Sequence, residues 1–279
     1  MRIVGVHGVG NYQSGHGPDA AAEALAGIWR KALSSTAALP RDQAQAECEL
    51  SVAYYADLLR GAASQGQEDL ESLDDYELAL VAAWLEECGL PDATAAGRAT
   101  APLRQALAWL AKTRGLGRPA TEWFVALFFR EVASYLRTPA RGQVRARVAE
   151  ILAARQPQVV IAHSLGSVVA YETLWEHPEL RVDLLVTLGS PLALPHAVFP
   201  RLQPTPIEQR GQRPPGVSRW VNLADSGDLV ALPPNGIERS FNDVDQDQPK
   251  TQPIHVFDFH KVVNYLATPQ LRGLLEEYA

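Results

Sequence analysis

The sequence predicts an α/β fold in which a mostly parallel central sheet of about six strands is flanked by helices. Short runs of β-branched and aliphatic residues alternate with longer segments of helical periodicity, an alternation typical of parallel sheets. Several of these runs are almost continuously apolar, as expected for strands that are covered on both faces. The predicted strands are Arg2–Val6, Glu49–Tyr54, Gln158–Ala162, Val182–Leu188, Arg219–Leu223 and Ile254–Phe257.

The flanking helices are predicted from apolar residues that recur every three or four positions. The first helix follows Gly17, with Pro18 and Asp19 in its first turn, where proline and acidic side chains are favoured. A second regular helix is predicted over Arg141–Arg155, where valine, isoleucine and leucine share one face.

Residues 61–140 interrupt this alternation, because they contain helical patterns and no convincing strand. The three patterns are Tyr76–Cys88, Pro102–Lys112 and Thr121–Leu136. We predict one domain over residues 1–279, in which residues 1–60 and 141–279 form the α/β core and residues 61–140 a helical insertion. The acidic segment 66–88 is interpreted as a solvated face, with a partner surface as the alternative.

Composition and charge exclude several classes of protein. Apolar residues make up 47% of the chain and charged residues 20%, which excludes a disordered chain, and the net charge of −7 disfavours a nucleic-acid partner. No apolar run reaches the roughly 18 residues that span a bilayer, and no signal peptide precedes the first strand. We therefore expect a cytoplasmic protein without a transmembrane segment. The two cysteines lack the spacing of a zinc site or a disulfide scaffold.

The strongest chemical signal is the segment around Ser164, where an apolar strand turns directly into a helix. Ala162 and Gly166 stand two residues before and after the serine, and a sharp strand-to-helix turn needs small side chains at both places. This pattern is typical of a nucleophile elbow, which projects the serine hydroxyl at the carboxyl edge of the sheet. The alternative is a serine that caps an ordinary turn.

In this elbow, and in the His-Gly turn at residues 7–10 after the first strand, the chain resembles the α/β-hydrolase superfamily, especially its lipase-like and esterase-like serine hydrolases. The resemblance covers approximately residues 1–60 and 141–279. It implies a sheet truncated at the N-terminus, without the one or two leading strands of the full superfamily fold.

The resemblance also implies an oxyanion hole made by the backbone N–H groups of Val9 and Leu165. Gly8 and Gly10 suit a loop whose backbone approaches a substrate closely. A dinucleotide-binding loop is the alternative for these glycines. It is disfavoured because the third glycine of that fingerprint is absent and no helix follows directly.

A nucleophilic serine needs a base that is oriented by an acid, and the superfamily order is serine, acid, histidine. Asp228 lies beyond the strand Arg219–Leu223 and resembles the superfamily's acid. Asp225 is the competing candidate and is interpreted as a residue that ties down the loop. For either residue, an Asx-type turn or cap is the structural alternative.

Seven histidines are candidates for the base. His260 is favoured because it follows the last predicted strand at the carboxyl edge, whereas His255 points to the opposite face and is interpreted as structural. His163 is predicted to line the site, and His7 to hold the oxyanion loop by hydrogen bonding. His16 receives no role.

The aspartates at 243, 245 and 247 begin like a calcium loop, but the motif is incomplete. Gln248 replaces the turn glycine and Ile254 replaces the bidentate carboxylate, which excludes an EF-hand. A looser calcium site is the alternative. We predict no metal and no cofactor.

The aromatic residues of the insertion are interpreted mainly as core, although in lipase-like relatives such an insertion forms a lid over an apolar acyl pocket. They are Trp84, Trp109, Trp123, Phe124, Phe128 and Phe129. The resemblance thus implies a serine hydrolase acting on a small acyl ester or lipid-like substrate through an acyl-enzyme on Ser164. The alternatives are a thioesterase, an acyltransferase, a peptidase, or a non-catalytic binding protein with the same fold. The sequence predicts no particular oligomeric state.

Overall fold

The structure, a computed structural model, describes residues 1–35, 48–59, 69–90, 100–137, 139–250 and 260–278. Its strands are β1 (Arg2–Val6), β2 (Glu49–Ala53), β3 (Val159–His163), β4 (Val182–Leu188), β5 (Gly211–Gln212), β6 (Val217–Asp225), β7 (Phe241–Asn242) and β8 (Gln246–Lys250). Six of them form one sheet in the order β2-β1-β3-β4-β6-β8, and each neighbouring pair is parallel. The short strands β5 and β7 pair separately. The protein is therefore an α/β protein with a parallel central sheet, as predicted.

Helices cover both faces of this sheet. They are α1 (Pro18–Ser35), α2 (Ala56–Leu59), α3 (Asp75–Glu87), α4 (Thr100–Thr113), α5 (Arg118–Arg137), α6 (Pro139–Arg155), α7 (Leu165–Glu176), α8 (Gly236–Ser240), α9 (Val262–Leu266) and α10 (Pro269–Glu276). Helices α1, α9 and α10 pack on one face, and α3 to α7 pack on the other. None of the helices in the described ranges is long and apolar enough to cross a membrane.

The two apolar layers follow from the alternation of side chains along each strand. In β3, Val159 and Ile161 join the layer beneath α1, while Val160 and Ala162 join the layer beneath α6 and α7. All four side chains are fully buried, which accounts for the continuous apolar run that identified this strand.

The last predicted strand is the main difference from the sequence analysis. Ile254–Phe257 lies outside the described residues, and the strand that pairs with β6 is β8, at residues 246–250, where no strand was predicted. The prediction failed there because β8, with the sequence Gln-Asp-Gln-Pro-Lys, carries no apolar signal. Among the described strands it is an edge strand, and edge positions tolerate both charge and proline.

The described part of residues 61–140 contains α3, α4, α5 and one 3₁₀ turn, Leu70–Ser72, in agreement with the three helical patterns. Helix α3 begins with a capping box, in which the Asp74 side chain accepts from the Glu77 backbone and the Glu77 side chain accepts from the Asp74 backbone. These helices bury their apolar faces against the same layer as α6 and α7.

The strand order reverses direction at β1, which creates a switch point at the carboxyl edge of the sheet, between β1 and β3. From β1 the chain continues to β2 on one side, and then to β3 on the other side of β1. In open α/β sheets, ligands bind at such a switch point, beyond the carboxyl ends of the strands. The loops after β1 and β3 begin with His7 and Ser164.

Candidate active site

Ser164 occupies a strained turn between β3 and α7. Its φ of 54° and ψ of −130° are rare for a residue with a side chain, and such conformations cost about 1–3 kcal/mol. The turn fits only because its neighbours are small. A Cβ on Gly166 would overlap the backbone of Val6 and His7, and one on Gly8 would lie 2.5 Å from the Ser164 Cβ.

Three side chains form a continuous line of hydrogen bonds at this turn. The Ser164 Oγ lies 2.7 Å from the His260 Nε2, and the His260 Nδ1 lies 2.8 Å from the Asp228 Oδ2. All three side chains are buried. When the Nδ1–H donates to the carboxylate, Nε2 is left as the acceptor for the serine hydroxyl proton. We call this arrangement the Ser–His–Asp chain.

The two candidate acids have different partners. Asp228 accepts hydrogen bonds from the Val230 N–H at 2.8 Å and the Tyr265 hydroxyl at 2.6 Å, in addition to its contact with His260. The Asp225 Oδ1 accepts from the Gly227 N–H two residues later, so each aspartate forms an Asx turn, the structural alternative for both. The structure thus brings Asp228 beside the histidine and gives Asp225 a role in shaping the loop.

Tyr265 is a residue of this site that the sequence analysis missed. Its hydroxyl donates to Asp228 and accepts from the Asp225 N–H at 3.0 Å, so it joins the two candidate acids. Burial, with the nearby charge of Asp228, raises the pKa of Tyr265 well above its ordinary value, so the hydroxyl keeps its proton. A buried tyrosine usually has a hydroxyl partner, but the sequence cannot show which one.

His7 is built into the loop that follows β1. Its Nε2 accepts from the Tyr55 N–H at 3.1 Å, so the Nδ1–H donates to the Gly8 carbonyl at 2.8 Å. The Tyr55 hydroxyl donates to the His7 carbonyl, and the two rings stack at 4.1 Å. Burial lowers the pKa of His7 to about 4, so the ring is neutral at pH 7.

Val9 lies in the loop after β1, and Leu165 directly follows the serine. Leu165 is the first residue of α7, where the backbone N–H has no carbonyl one turn earlier within the helix. Val9 lies between Gly8, where an added Cβ would lie 2.5 Å from the Ser164 Cβ, and Gly10, which has a left-handed φ of 72°.

His163 is a buried neighbour of the Ser–His–Asp chain. Its ring centroid lies 4.8 Å from that of His260, and its Nε2 has no hydrogen-bond partner among the residues described. Burial, together with the charge of His260, lowers the pKa of His163 well below its ordinary value. A neutral ring in this place lines the site.

Helix α5 covers the Ser–His–Asp chain. The rings of Phe124 and Phe128 lie 5.5 and 6.2 Å from the His260 ring, in edge-on geometry. Ser164 has no solvent-exposed surface, and His260 is 9% exposed. Of the other aromatic residues in the insertion, Trp84 and Phe129 are core residues, whereas Trp109 and Trp123 are exposed.

Two of the three aspartates that resembled a calcium loop are bound to protein groups. Asp245 accepts from the Trp220 N–H at 2.8 Å, and Asp247 accepts from the Asn222 side chain at 2.8 Å and the Glu238 N–H at 2.9 Å. These bonds connect β8 and the segment before it to β6 and α8. The part of the chain that is described contains no group of three or more His, Cys, Asp and Glu side chains suited to a metal ion.

Comparisons of the chain with protein-family models, with curated proteins and with solved structures found no match. A fold class alone does not define an activity, because one α/β fold supports many chemistries. A function for this chain is therefore inferred from the site itself.

Proposed function

We propose that this protein is a serine hydrolase that cleaves a carboxylic ester through an acyl-enzyme on Ser164. The observation that carries the proposal is the Ser–His–Asp chain, in which His260 lies within hydrogen-bond distance of both Ser164 and Asp228. A serine hydroxyl is a weak nucleophile by itself and becomes reactive when a positioned base accepts its proton. The strained backbone at Ser164 supports a functional role, because such strain clusters at active sites.

In the first half of the reaction, the Ser164 Oγ forms a bond with the ester carbonyl carbon while its proton moves to the His260 Nε2. Asp228 stabilises the imidazolium that forms. The carbonyl oxygen gains the negative charge, and the N–H groups of Val9 and Leu165 are proposed to stabilise it. The bond to the leaving alkoxide then breaks, and His260 donates the proton to that oxygen.

In the second half, water resolves the acyl-enzyme. The water oxygen bonds to the acyl carbon while His260 accepts a proton from the water, and a second tetrahedral species forms. The bond to the Ser164 Oγ breaks, the serine recovers its proton from His260, and the carboxylic acid leaves.

The surroundings of the site favour an ester with an apolar acyl group. Phe124 and Phe128 face His260, and the Leu127 Cδ2 would lie 3.1 Å from a Cβ added to Gly10 in the loop after β1. A binding wall of this composition stabilises hydrocarbon or aromatic groups by removing their surface from water.

Labelling by a fluorophosphonate tests the nucleophile. We expect the wild-type protein to be labelled at one site, and Ser164→Ala to abolish the labelling. Ser167→Ala, which changes another buried serine three residues further on, is the matched control and should still be labelled. A folded wild-type protein that neither reacts with the probe nor hydrolyses esters would favour a non-catalytic binding protein.

The acid is tested by a pair of isosteric variants. Asp228→Asn should reduce kcat for a p-nitrophenyl ester by about 10⁴-fold, the effect of the corresponding change in a serine protease, while Asp225→Asn should retain turnover within about tenfold. The reverse result would assign the acid to Asp225. Parallel assays with thioesters, amides and alcohol acceptors separate the ester hydrolase from a thioesterase, a peptidase or an acyltransferase.

A further inference from the structure

The loop after β1 is held on one side by Asn11. The Asn11 Nδ2 donates to the carbonyls of Gly8 at 2.9 Å and Val9 at 3.0 Å, and the Gly8 carbonyl also accepts from the His7 Nδ1. In a planar trans peptide the C=O and the N–H point in opposite directions. Fixing the Gly8 carbonyl therefore also fixes the direction of the Val9 N–H, which points away from Asn11.

The next peptide of the same loop is held from the other side by Glu131 of α5. The Gly10 N–H donates to the Glu131 Oε2 at 3.1 Å, and Glu131 is 7% exposed. The peptide between Val9 and Gly10 is thus bonded at both ends, by Asn11 at its carbonyl and by Glu131 at its N–H.

We propose that Asn11 and Glu131 are positioning residues, which hold the Val9 N–H where the negative charge of the transition state develops. This inference rests on the proposed function, and it assigns part of the insertion to catalysis. The oxyanion forms only after attack by Ser164, so a displaced Val9 N–H weakens binding of the transition state and leaves binding of the ester unchanged.

The test compares four variants with the wild type. Glu131→Met removes the acceptor for Gly10, whereas Glu131→Gln keeps a carbonyl oxygen of similar reach. Asn11→Ala removes the donor on the other side, and its partly exposed position makes it the more tolerant site for folding. Ser134→Ala is the matched control on α5, because the Ser134 Oγ donates to the Leu59 carbonyl and not to the loop. Thermal unfolding establishes that each variant is folded.

Each variant is measured for kcat and KM with a p-nitrophenyl ester, and for inhibition by a trifluoromethyl ketone, to which serine adds to form a stable oxyanion. We expect Glu131→Met and Asn11→Ala to lower kcat by about 10- to 100-fold with KM within about twofold, and to weaken the ketone by the same factor as kcat. Glu131→Gln should recover kcat to within about threefold of the wild type. The control Ser134→Ala should have the kcat of the wild type. Amide hydrogen exchange over residues 7–12 should rise in Glu131→Met and Asn11→Ala only.

Three results would overturn the proposal: wild-type kcat in folded Glu131→Met and Asn11→Ala, a change in KM alone, or no recovery in Glu131→Gln. A wild-type protein that neither turns over esters nor binds the ketone would instead overturn the proposed function, and this inference with it. Hydrogen exchange separates the two cases. Faster exchange over residues 7–12 in the variants of an inactive protein would show that Asn11 and Glu131 hold the loop, although the protein is not an ester hydrolase.

Discussion

Gly166→Ala is the substitution whose effect follows most directly from the geometry of the elbow. The added Cβ would lie 2.8 Å from the Val6 carbonyl carbon, and closer still to the carbonyl oxygens of Val6 and His7. Ordinary carbon contacts are about 3.5–4.0 Å, so α7 must move by about 1 Å from the end of β1. Overpacking of this kind costs about 1–3 kcal/mol, and a shift of about 1 Å at a nucleophile reduces the rate by about 100-fold.

Two measurements check this prediction. Urea denaturation should show a free energy of unfolding lower by about 1–3 kcal/mol, and fluorophosphonate labelling should be about 100-fold slower. The control is Gly27→Ala in α1, where nothing lies within 4 Å of the added methyl group and the change should stabilise the helix by about 0.5–1 kcal/mol. Wild-type stability and labelling in Gly166→Ala would refute the steric reasoning.

Three further predictions concern buried polar groups. Tyr265→Phe removes the hydroxyl that donates to Asp228, a bond to a charged group, and should lower the free energy of unfolding by about 1.5–3 kcal/mol in urea titrations. The pKa of His7 is lowered to about 4 by burial, below the value of about 6.5 in the unfolded chain. Stability should therefore fall by about 3 kcal/mol as pH falls from about 6.5 to about 4, and His7→Gln should remove that part of the pH dependence in denaturation at both pH values. Glu172→Leu leaves the buried guanidinium of Arg141 without its carboxylate and should cost about 3–5 kcal/mol, measured by calorimetry; an unchanged melting temperature would contradict this.

How much of the fold could be predicted depended on where each strand lies in the sheet. The central strands β3 and β4 are covered on both faces, and their apolar runs predicted them to within about one residue. Strand β8 was not predicted, because a strand at the described edge of the sheet can be polar. The register of β8 comes from contacts such as that of Asn222 with Asp247, which no local pattern encodes.

The site shows the same division between local and distant contacts. Ser164 was identified because its turn needs small residues within two positions, a constraint written in the adjacent sequence. The sequence favoured Asp228 over Asp225 only through the resemblance, since the choice itself depends on which carboxylate meets a ring from another part of the chain. Tyr265 and Glu131 were missed for the same reason, because they act through contacts 37 and 121 residues away in sequence.

Helix α5 contacts both His260 and the loop after β1, so the insertion is in contact with two separate parts of the site. Phe124 and Phe128 pack against His260 near one part of the helix, and Glu131 bonds to Gly10 one to two turns further along. Ser164 has no exposed surface, so we expect a substrate of the proposed hydrolase to reach its hydroxyl only when groups around it move. If α5 is one of these groups and moves as a rigid body, a shift of its aromatic residues also displaces Glu131 relative to the loop. For the proposed hydrolase, we therefore expect substrate entry and the order of the loop at Val9 to be coupled through this helix.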